Sequence, residues 1–399
     1  MPQGFLNYGR QAISEDDIAA VVDVLRSDWL TTGPAVERFE AAFCEETGAK
    51  HAVVCNSGTA ALYLAVRAAG LKAGDSVIVP AMTFAATASA NVLAGIEVVF
   101  ADVDPLTGLM RVSDAEEALA RRGSHRVKAI FPVHLTGRVS DPAALHAFAE
   151  DARLVVIEDA CHALGTRYGN ARHAVGSCEH SLAACFSFHP VKAIAMGEGG
   201  AITTNSAPLA EAARLLRNHG MSRSPGDFQN PELALAADGT VNPWYYEVAE
   251  ISHNLRASDI NCALAASQLG KLGQFLGQRR AHMERYRTRL AELTPAVTLA
   301  PWDADLEPGW HLCAVQIDFE LLPTDRRTLM LRLRDRGIGT QVHYLPVNLH
   351  PFYRNRYGEI DLPGALSYYQ RTLSLPLYPT MTSADVDRVV DELAACIAR

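Results

Sequence analysis

Between residues 50 and 205, short apolar runs alternate with amphipathic segments, and this alternation constrains the fold more than any other feature of the chain. His51–Cys55, Ser76–Val79, Glu97–Ala101, Val127–Val133, Leu154–Glu158, Ala183–Phe188 and Ala201–Thr204 have the length and the Val, Ile and Phe content of buried strands. Ala60–Ala69, Ala85–Leu93, Ser113–Arg121 and Pro142–Asp151 carry helical periodicity between them. Such an order predicts an α/β fold with a mostly parallel sheet and crossover helices on its faces. Ligands of open α/β sheets bind outside the carboxyl ends of the strands. Chemistry is therefore expected in the residues that follow each run.

Three of those positions hold suggestive residues. The run ending at Phe188 is broken by Pro190, and the turn then presents Lys192 before the Gly-rich bend Gly197-Glu198-Gly199-Gly200. A lysine among apolar neighbours loses solvation, which lowers its pKa and frees the amine for Schiff-base chemistry; an isolated lysine after a strand is otherwise a surface residue. The apolar run Leu154–Ile157 passes into Glu158-Asp159, delivering a carboxylate at a strand end. An acid and a lysine on neighbouring strands are what a pyridoxal phosphate site needs, the acid holding the pyridine nitrogen protonated and the lysine forming the imine. Ser57-Gly58-Thr59 stands at a strand-to-helix junction, where free backbone N–H groups can meet a phosphate. Any one of these is weak, since many helix caps read Ser-Gly-Thr; their order along the chain is more specific. Phe84, in the loop Pro80–Phe84, could stack on a pyridine face or pack in the core.

These motifs resemble those of the DegT/StrS-type nucleotide-sugar aminotransferases, a branch of the fold-type I (aspartate aminotransferase-like) pyridoxal phosphate enzymes. The likeness runs from Tyr8-Gly9-Arg10-Gln11 to Leu375-Pro376-Leu377-Tyr378-Pro379. It implies a large domain with a mostly parallel sheet and a small α+β C-terminal domain. We place the first at residues 1–257, with an N-terminal arm, and the second at 258–399, opening on a linking helix. The resemblance implies pyridoxal 5′-phosphate as cofactor, with pyridoxamine 5′-phosphate as its intermediate. It makes Lys192 and Asp159 the catalytic pair, with Phe84 stacking, His162 beside the ring, and Ser57, Gly58, Thr59 and Ser187 on the phosphate. Asn254, in Ser252-His253-Asn254-Leu255-Arg256, would reach the phosphate of a second subunit in a homodimer, and Arg256 would lie near the site. His343 and Tyr344 become candidate substrate contacts. Phe188–Lys192, Pro243–Glu247 and Gln341–Val347 resemble the branch that aminates C4 of UDP-4-keto-6-deoxy-N-acetyl-L-altrosamine on the way to pseudaminic acid, with L-glutamate as donor. Asn348 and His350 depart from that branch, where His and Gln usually stand.

Other readings are weaker. A lyase or desulfurase on this fold would carry a catalytic cysteine on a mobile loop, which no stretch clearly supplies. The related sugar 3-dehydration branch replaces the lysine with histidine. A ligand sensor has no need of the Ser57, Asp159 and Lys192 set. A GDP- or dTDP-linked 4-keto-6-deoxyhexose remains an alternative substrate. The formal net charge of −9 argues against nucleic acid as a partner. Arg279-Arg280 and Arg332–Arg336 read as solvated helix faces. The absence of a long apolar run or signal-peptide pattern leads us to expect a cytoplasmic protein without a membrane partner. The 8 cysteines form no CxxC pair, so neither a disulfide framework nor a metal site is expected, Cys178-Glu179-His180 being the nearest approach to one. Met221–Tyr246 reads as a long surface loop, His311–Phe319 and Gly337–Val342 as strands, and Arg326–Arg336 and Ser383–Ala398 as helices.

Overall fold

The structure, a computed structural model, describes residues 4–122, 126–302 and 305–398. Its centre is a seven-stranded sheet. In chain order its strands are β1 (His51–Cys55), β2 (Ser76–Pro80), β3 (Glu97–Ala101), β4 (Val127–Ile130), β5 (Val155–Asp159), β6 (Ala183–Ser187) and β7 (Gly200–Thr204). The order across the sheet is β1-β7-β6-β5-β4-β2-β3. All strands run parallel except β7, which is antiparallel to both neighbours. The expected mostly parallel sheet is therefore present, and the predicted strands lie close to their predicted bounds.

Burial explains why these runs are strands. Every residue of β2 and β7 is buried, so both of their faces demand apolar or small side chains. The helix Gly58–Ala68 is buried along most of its length, and with Ala85–Leu93, Val112–Arg122 and Pro142–Ala152 it encloses the first core cluster. On the other side Phe39 and Phe43, from the helix Pro34–Thr47, pack edge-on against Phe186 and Phe188. Each such buried aromatic is worth roughly 1.5–3 kcal/mol of transfer free energy, and these anchor the strand that leads to Lys192.

The C-terminal part builds a three-stranded antiparallel sheet from β8 (Val297–Leu299), β9 (Cys313–Ile317) and β10 (Thr372–Leu375). The helices Arg326–Asp335 and Ser383–Ile397 pack on it in a separate apolar cluster. The helix Leu272–Leu290 serves both bodies. Its Leu272 and Leu276 join the large-domain cluster, whereas Met283, Tyr286 and Leu290 join the small one.

Three expectations are corrected. Gly337–Val342 is not a strand: it makes only isolated bridges, Ile338 to Leu6 and Gln341 to Ser374, because its partners are single residues of other segments. β8, β10 and the helices Pro351–Tyr357 and Pro363–Arg371 were not anticipated. Arg279 is not on a solvated face but only 1% exposed, donating to the carbonyls of His311 and Leu377 at 3.2 and 2.9 Å and of Lys192 at 3.4 Å. Arg280 does meet an acid, Glu307. Met221–Tyr246 is mostly irregular, closed at its base by a two-residue ladder between Met221-Ser222 and Glu247-Val248. Among the described residues no helix is long and apolar enough to cross a membrane.

Candidate active site

The carboxyl ends of β1, β5 and β6 open on a cavity of about 540 Å³. Asp159 ends β5, and its register partner on β6 is Cys185, so the carboxylate and the segment after β6 meet at one sheet edge. The Asp159 side chain is buried and doubly anchored. Thr87 Oγ1 donates to Oδ2 at 2.6 Å and the Cys161 N–H to Oδ1 at 3.2 Å. Both bonds hold the carboxylate in place.

After β6 the chain loops out and returns as β7. The Phe188 N–H bonds to Gly199 O at 2.9 Å, Met196 N–H to Phe188 O at 2.9 Å, and Lys192 N–H to His189 O at 2.8 Å. Lys192 therefore sits in a closed loop, half-buried, with its amine on the cavity. Burial pushes its ammonium below the ordinary lysine value, and the charges of Cys161 and Asp159 offset only part of that push. A lysine so placed is a readier nucleophile and base than one in water.

The opposite wall is the first turn of the helix Gly58–Ala68. Ser57 is its N-cap, accepting from the Ala60 N–H at 3.1 Å, which leaves the N–H groups of Gly58 and Thr59 without intrahelical partners. Ser187 lies directly across: a Cβ on Gly58 would stand 2.7 Å from Ser187 Cβ. Only glycine fits there, and the result is a cradle of backbone N–H and hydroxyl groups suited to an anion.

Three histidines close the far side. His162 and His311 pack with ring centroids 4.3 Å apart. His162 Nε2 lies 3.1 Å from the Tyr344 hydroxyl, and His343 Nδ1 lies 2.8 Å from Ser374 Oγ. Burial first, and the Lys192 charge second, press the His162 imidazole well below its ordinary value and hold His343 down to about 3. His311 is pressed well below as well, by burial and then by its neighbour His162. Burial thus favours the neutral form of all three rings. Phe84 is 58% exposed on the cavity, with its ring 5.7 Å from that of Tyr344.

Ser57, Gly58, Thr59, Phe84, Asp159, His162, Ser187, Lys192, His343 and Tyr344 thus line one cavity, as the sequence led us to expect. Asn254 and Arg256 do not line it. Their segment runs beside Asn56, whose N–H bonds to Leu255 O at 2.9 Å, with Asn254 exposed and the Arg256 guanidinium turned to Asn218. Tyr8, Cys161, His311 and Gln341 line the cavity without having been singled out. Tyr8 arrives on the N-terminal arm, held by the Leu6–Ile338 bridge and by the Leu377 N–H bonded to Tyr8 O at 3.0 Å. No local pattern in the sequence announces such long-range contacts. Cys178 and His180 point to different partners, Thr203 and Tyr168.

A family model described as the DegT/DnrJ/EryC1/StrS aminotransferase family matches residues 11–394. The chain is 38% identical over 390 residues to the spore coat polysaccharide biosynthesis protein SpsC of Bacillus subtilis (strain 168), covering 97% of this chain and 96% of that one. Its structure is similar to that of Helicobacter pylori PseC, an aminotransferase involved in the biosynthesis of pseudoaminic acid, with TM-score 0.88 and 29% identity, over 98% of this chain and 99% of that one. It is similar also to the PLP form of the putative sugar aminotransferase Spr1654 from Streptococcus pneumoniae, with TM-score 0.86 and 27% identity, over 98% of both chains.

Proposed function

We infer the reaction from descent and geometry together: the chain belongs to the DegT/DnrJ/EryC1/StrS aminotransferase family, and one cavity holds a carboxylate at the end of β5 and an amine on the loop that follows the neighbouring strand β6. We propose that it moves an amino group from L-glutamate to the C4 ketone of a nucleotide-linked 4-keto-6-deoxy sugar. UDP-4-keto-6-deoxy-N-acetyl-L-altrosamine is the first candidate, supported by the likeness to PseC. The observation that carries the reading is Lys192, half-buried and with its pKa lowered, in one cavity with Asp159.

The residues present fit pyridoxal 5′-phosphate. Ser57, Gly58, Thr59 and Ser187 form an anion cradle that a single Cβ would fill, Asp159 supplies an anchored carboxyl group, and Phe84 offers an uncovered ring face. When bound, that cofactor supplies an electron sink for a carbanion. Lys192 Nζ would hold it covalently and, once released, carry a proton from the donor Cα as general base. Asp159, fixed by Thr87 and the Cys161 N–H, would keep a ring nitrogen protonated. His162 would flank the ring. Asn254 is assigned to the cavity of a second copy in a homodimer, which its exposure permits. His343 and Tyr344 are assigned to the sugar.

A second reading concerns the sugar alone. Asn348 is buried, its amide donating to Ile360 O at 3.3 Å. Together with His350 it departs from the pseudaminic branch, and SpsC is named for a spore coat polysaccharide. Both favour a different UDP-, GDP- or dTDP-linked keto sugar. The test is to load the protein with L-glutamate and challenge it in turn with UDP-, GDP- and dTDP-linked 4-keto sugars, following amino-sugar formation by mass spectrometry. Product from the UDP-altrosamine ketone alone supports the first reading, and product from another sugar supports the second. Repeated turnover by Lys192→Ala would remove the lysine from the mechanism altogether.

A further inference from the structure

One turn beside the cavity has an unusual backbone. In the turn Leu135–Gly137, Thr136 takes φ +66° although it is β-branched and gains nothing locally from that conformation. Its hydroxyl is buried without a partner among the described residues, so the side chain does not explain the turn. The backbone does. The Thr136 N–H points at His162 Nδ1, 3.4 Å away, and its carbonyl accepts from the His311 N–H at 2.9 Å. The next residue, Gly137, is locked as well: a Cβ there would meet Gly309 O at 2.6 Å, and its own carbonyl accepts from Thr166 Oγ1 at 2.8 Å. The turn is thus clamped between the two histidines and the segment leading into β9.

That N–H has a chemical consequence. A backbone N–H can only donate, so His162 Nδ1 must be the bare, accepting nitrogen. In a neutral imidazole the proton then resides on Nε2, which faces the Tyr344 hydroxyl at 3.1 Å. Nε2–H donates to Tyr344 Oη, and the phenolic hydrogen is left to point elsewhere. Tyr344 lines the cavity with Asp159 and Lys192, so the hydrogen can be offered to a bound molecule. The opposite tautomer would set two N–H groups against each other across 3.4 Å.

We propose that Thr136 and His162 are positioning residues that fix Tyr344 as a hydrogen-bond donor to the ketone oxygen of the acceptor sugar. The inference rests on the amino-transfer reading above. The donated hydrogen bond polarises the carbonyl as nitrogen attacks its carbon, and His162 Nε2–H steadies the phenolic oxygen from behind. The donor half also ends in a ketone, that of the released 2-keto acid, but Tyr344 is assigned to the sugar, so the larger effect belongs to the sugar half of the cycle.

Two measurements test this. The first needs neither cofactor nor substrate: nitrogen-15 spectra of the histidine rings near neutral pH, with His162 assigned by its loss in His162→Gln. A proton on Nε2 is expected, and a proton on Nδ1 overturns the proposal. The second compares the two half-reactions. Tyr344→Phe and His162→Leu should each slow the sugar half by about 100-fold with little change in apparent substrate binding, slow it more than they slow the glutamate half, and combine without further loss because they remove one unit. His162→Gln, whose amide also pairs an acceptor with a donor, should restore most of the rate. A Tyr344→Phe enzyme as fast as wild type refutes the inference, whereas a wild type that aminates no sugar refutes the reading beneath it and leaves the tautomer to be judged by the spectra.

Discussion

Replacing Gly58 by alanine tests the anion cradle by geometry alone. The added Cβ would stand 2.7 Å from Ser187 Cβ, 3.2 Å from Ser187 Oγ and 3.3 Å from Ser187 Cα. Ser187 cannot retreat, because it ends β6 and is paired with Gly200 of β7. Two effects oppose each other. Alanine in place of glycine favours a helix by up to about 1 kcal/mol, less in the first turn. Overpacking against fixed backbone costs about 1–3 kcal/mol. Overpacking wins, and a net loss of about 1–2 kcal/mol should lower Tm by a few degrees in the cofactor-free protein. The same methyl narrows the space between two walls of the cradle, so pyridoxal phosphate should bind about 10- to 100-fold more weakly, an effect of about 1.4–2.8 kcal/mol. Differential scanning calorimetry of the cofactor-free protein and an absorbance titration with the cofactor read the two numbers separately. Adding Ser187→Gly removes the opposing Cβ and should return most of the Tm, but not the affinity, since it also removes a hydroxyl from the cradle. Unchanged Tm and unchanged affinity in Gly58→Ala would show that the helix start is not pressed against β6, and the phosphate assignment would fall with it.

Asp17 is fully buried and accepts from Lys271 Nζ at 2.5 Å, Ser267 Oγ at 2.6 Å and Gln268 Nε2 at 2.7 Å. Burial alone would raise its pKa, but the bonds from Lys271, Ser267, Ser14 and Gln268 outweigh it and hold the carboxyl below 3.8. A lowered folded-state value means stability that is present above the unfolded pKa and lost as pH falls through the folded one. Asp17→Asn should therefore cost about 1–3 kcal/mol near neutrality, and urea melts of mutant and wild type should converge in acid; a gap that persists there would refute the linkage. Arg279, whose burial lowers its pKa to about 10, holds the Lys192 carbonyl with no carboxylate partner among the described residues. Arg279→Met removes its hydrogen bonds and its desolvation cost together, so Tm should move little, while amino transfer falls about 10- to 100-fold as the Lys192 loop loses its tether. A large fall in Tm at full activity would reverse that assignment.

The large domain was legible because its signals are local. Runs such as Ser76–Pro80 are buried on both faces and read as strands, and Ser57, Ser206 and Ser258 mark helix starts in the structure as N-caps. Asp159 and Lys192 were legible because each ends or follows such a run. The small domain was harder. Thr372–Leu375 is a strand because Cys313–Ile317 lies alongside it, and its wholly buried Thr and Ser positions disguise its character. Gly337–Val342 carries strand-like residues without a ladder to join. Arg279 reads as surface by composition, and only the carbonyls of three distant segments make its burial tolerable. Tyr8, His311 and the Thr136 turn enter the site through contacts that span much of the chain, which no window of sequence contains.

The single reversed strand has a consequence for how the enzyme can evolve. Because β7 runs against β6, the chain leaves the sheet and re-enters it at the same edge, and Lys192 travels on the intervening loop. A parallel neighbour would have required a helix on the far face and a long return. Here Lys192 hangs from a bridge with both abutments set in the sheet, one of them so close that a Cβ on Gly200 would stand 2.3 Å from Ser57 O. Length cannot be added to that bridge without moving the amine, nor bulk to its Gly200 end without moving the turn at Ser57 and Gly58. Variation in substrate must be found elsewhere on the cavity wall, at Tyr8 of the arm and at Gln341 and Val342, which can change while the lysine stays where it is.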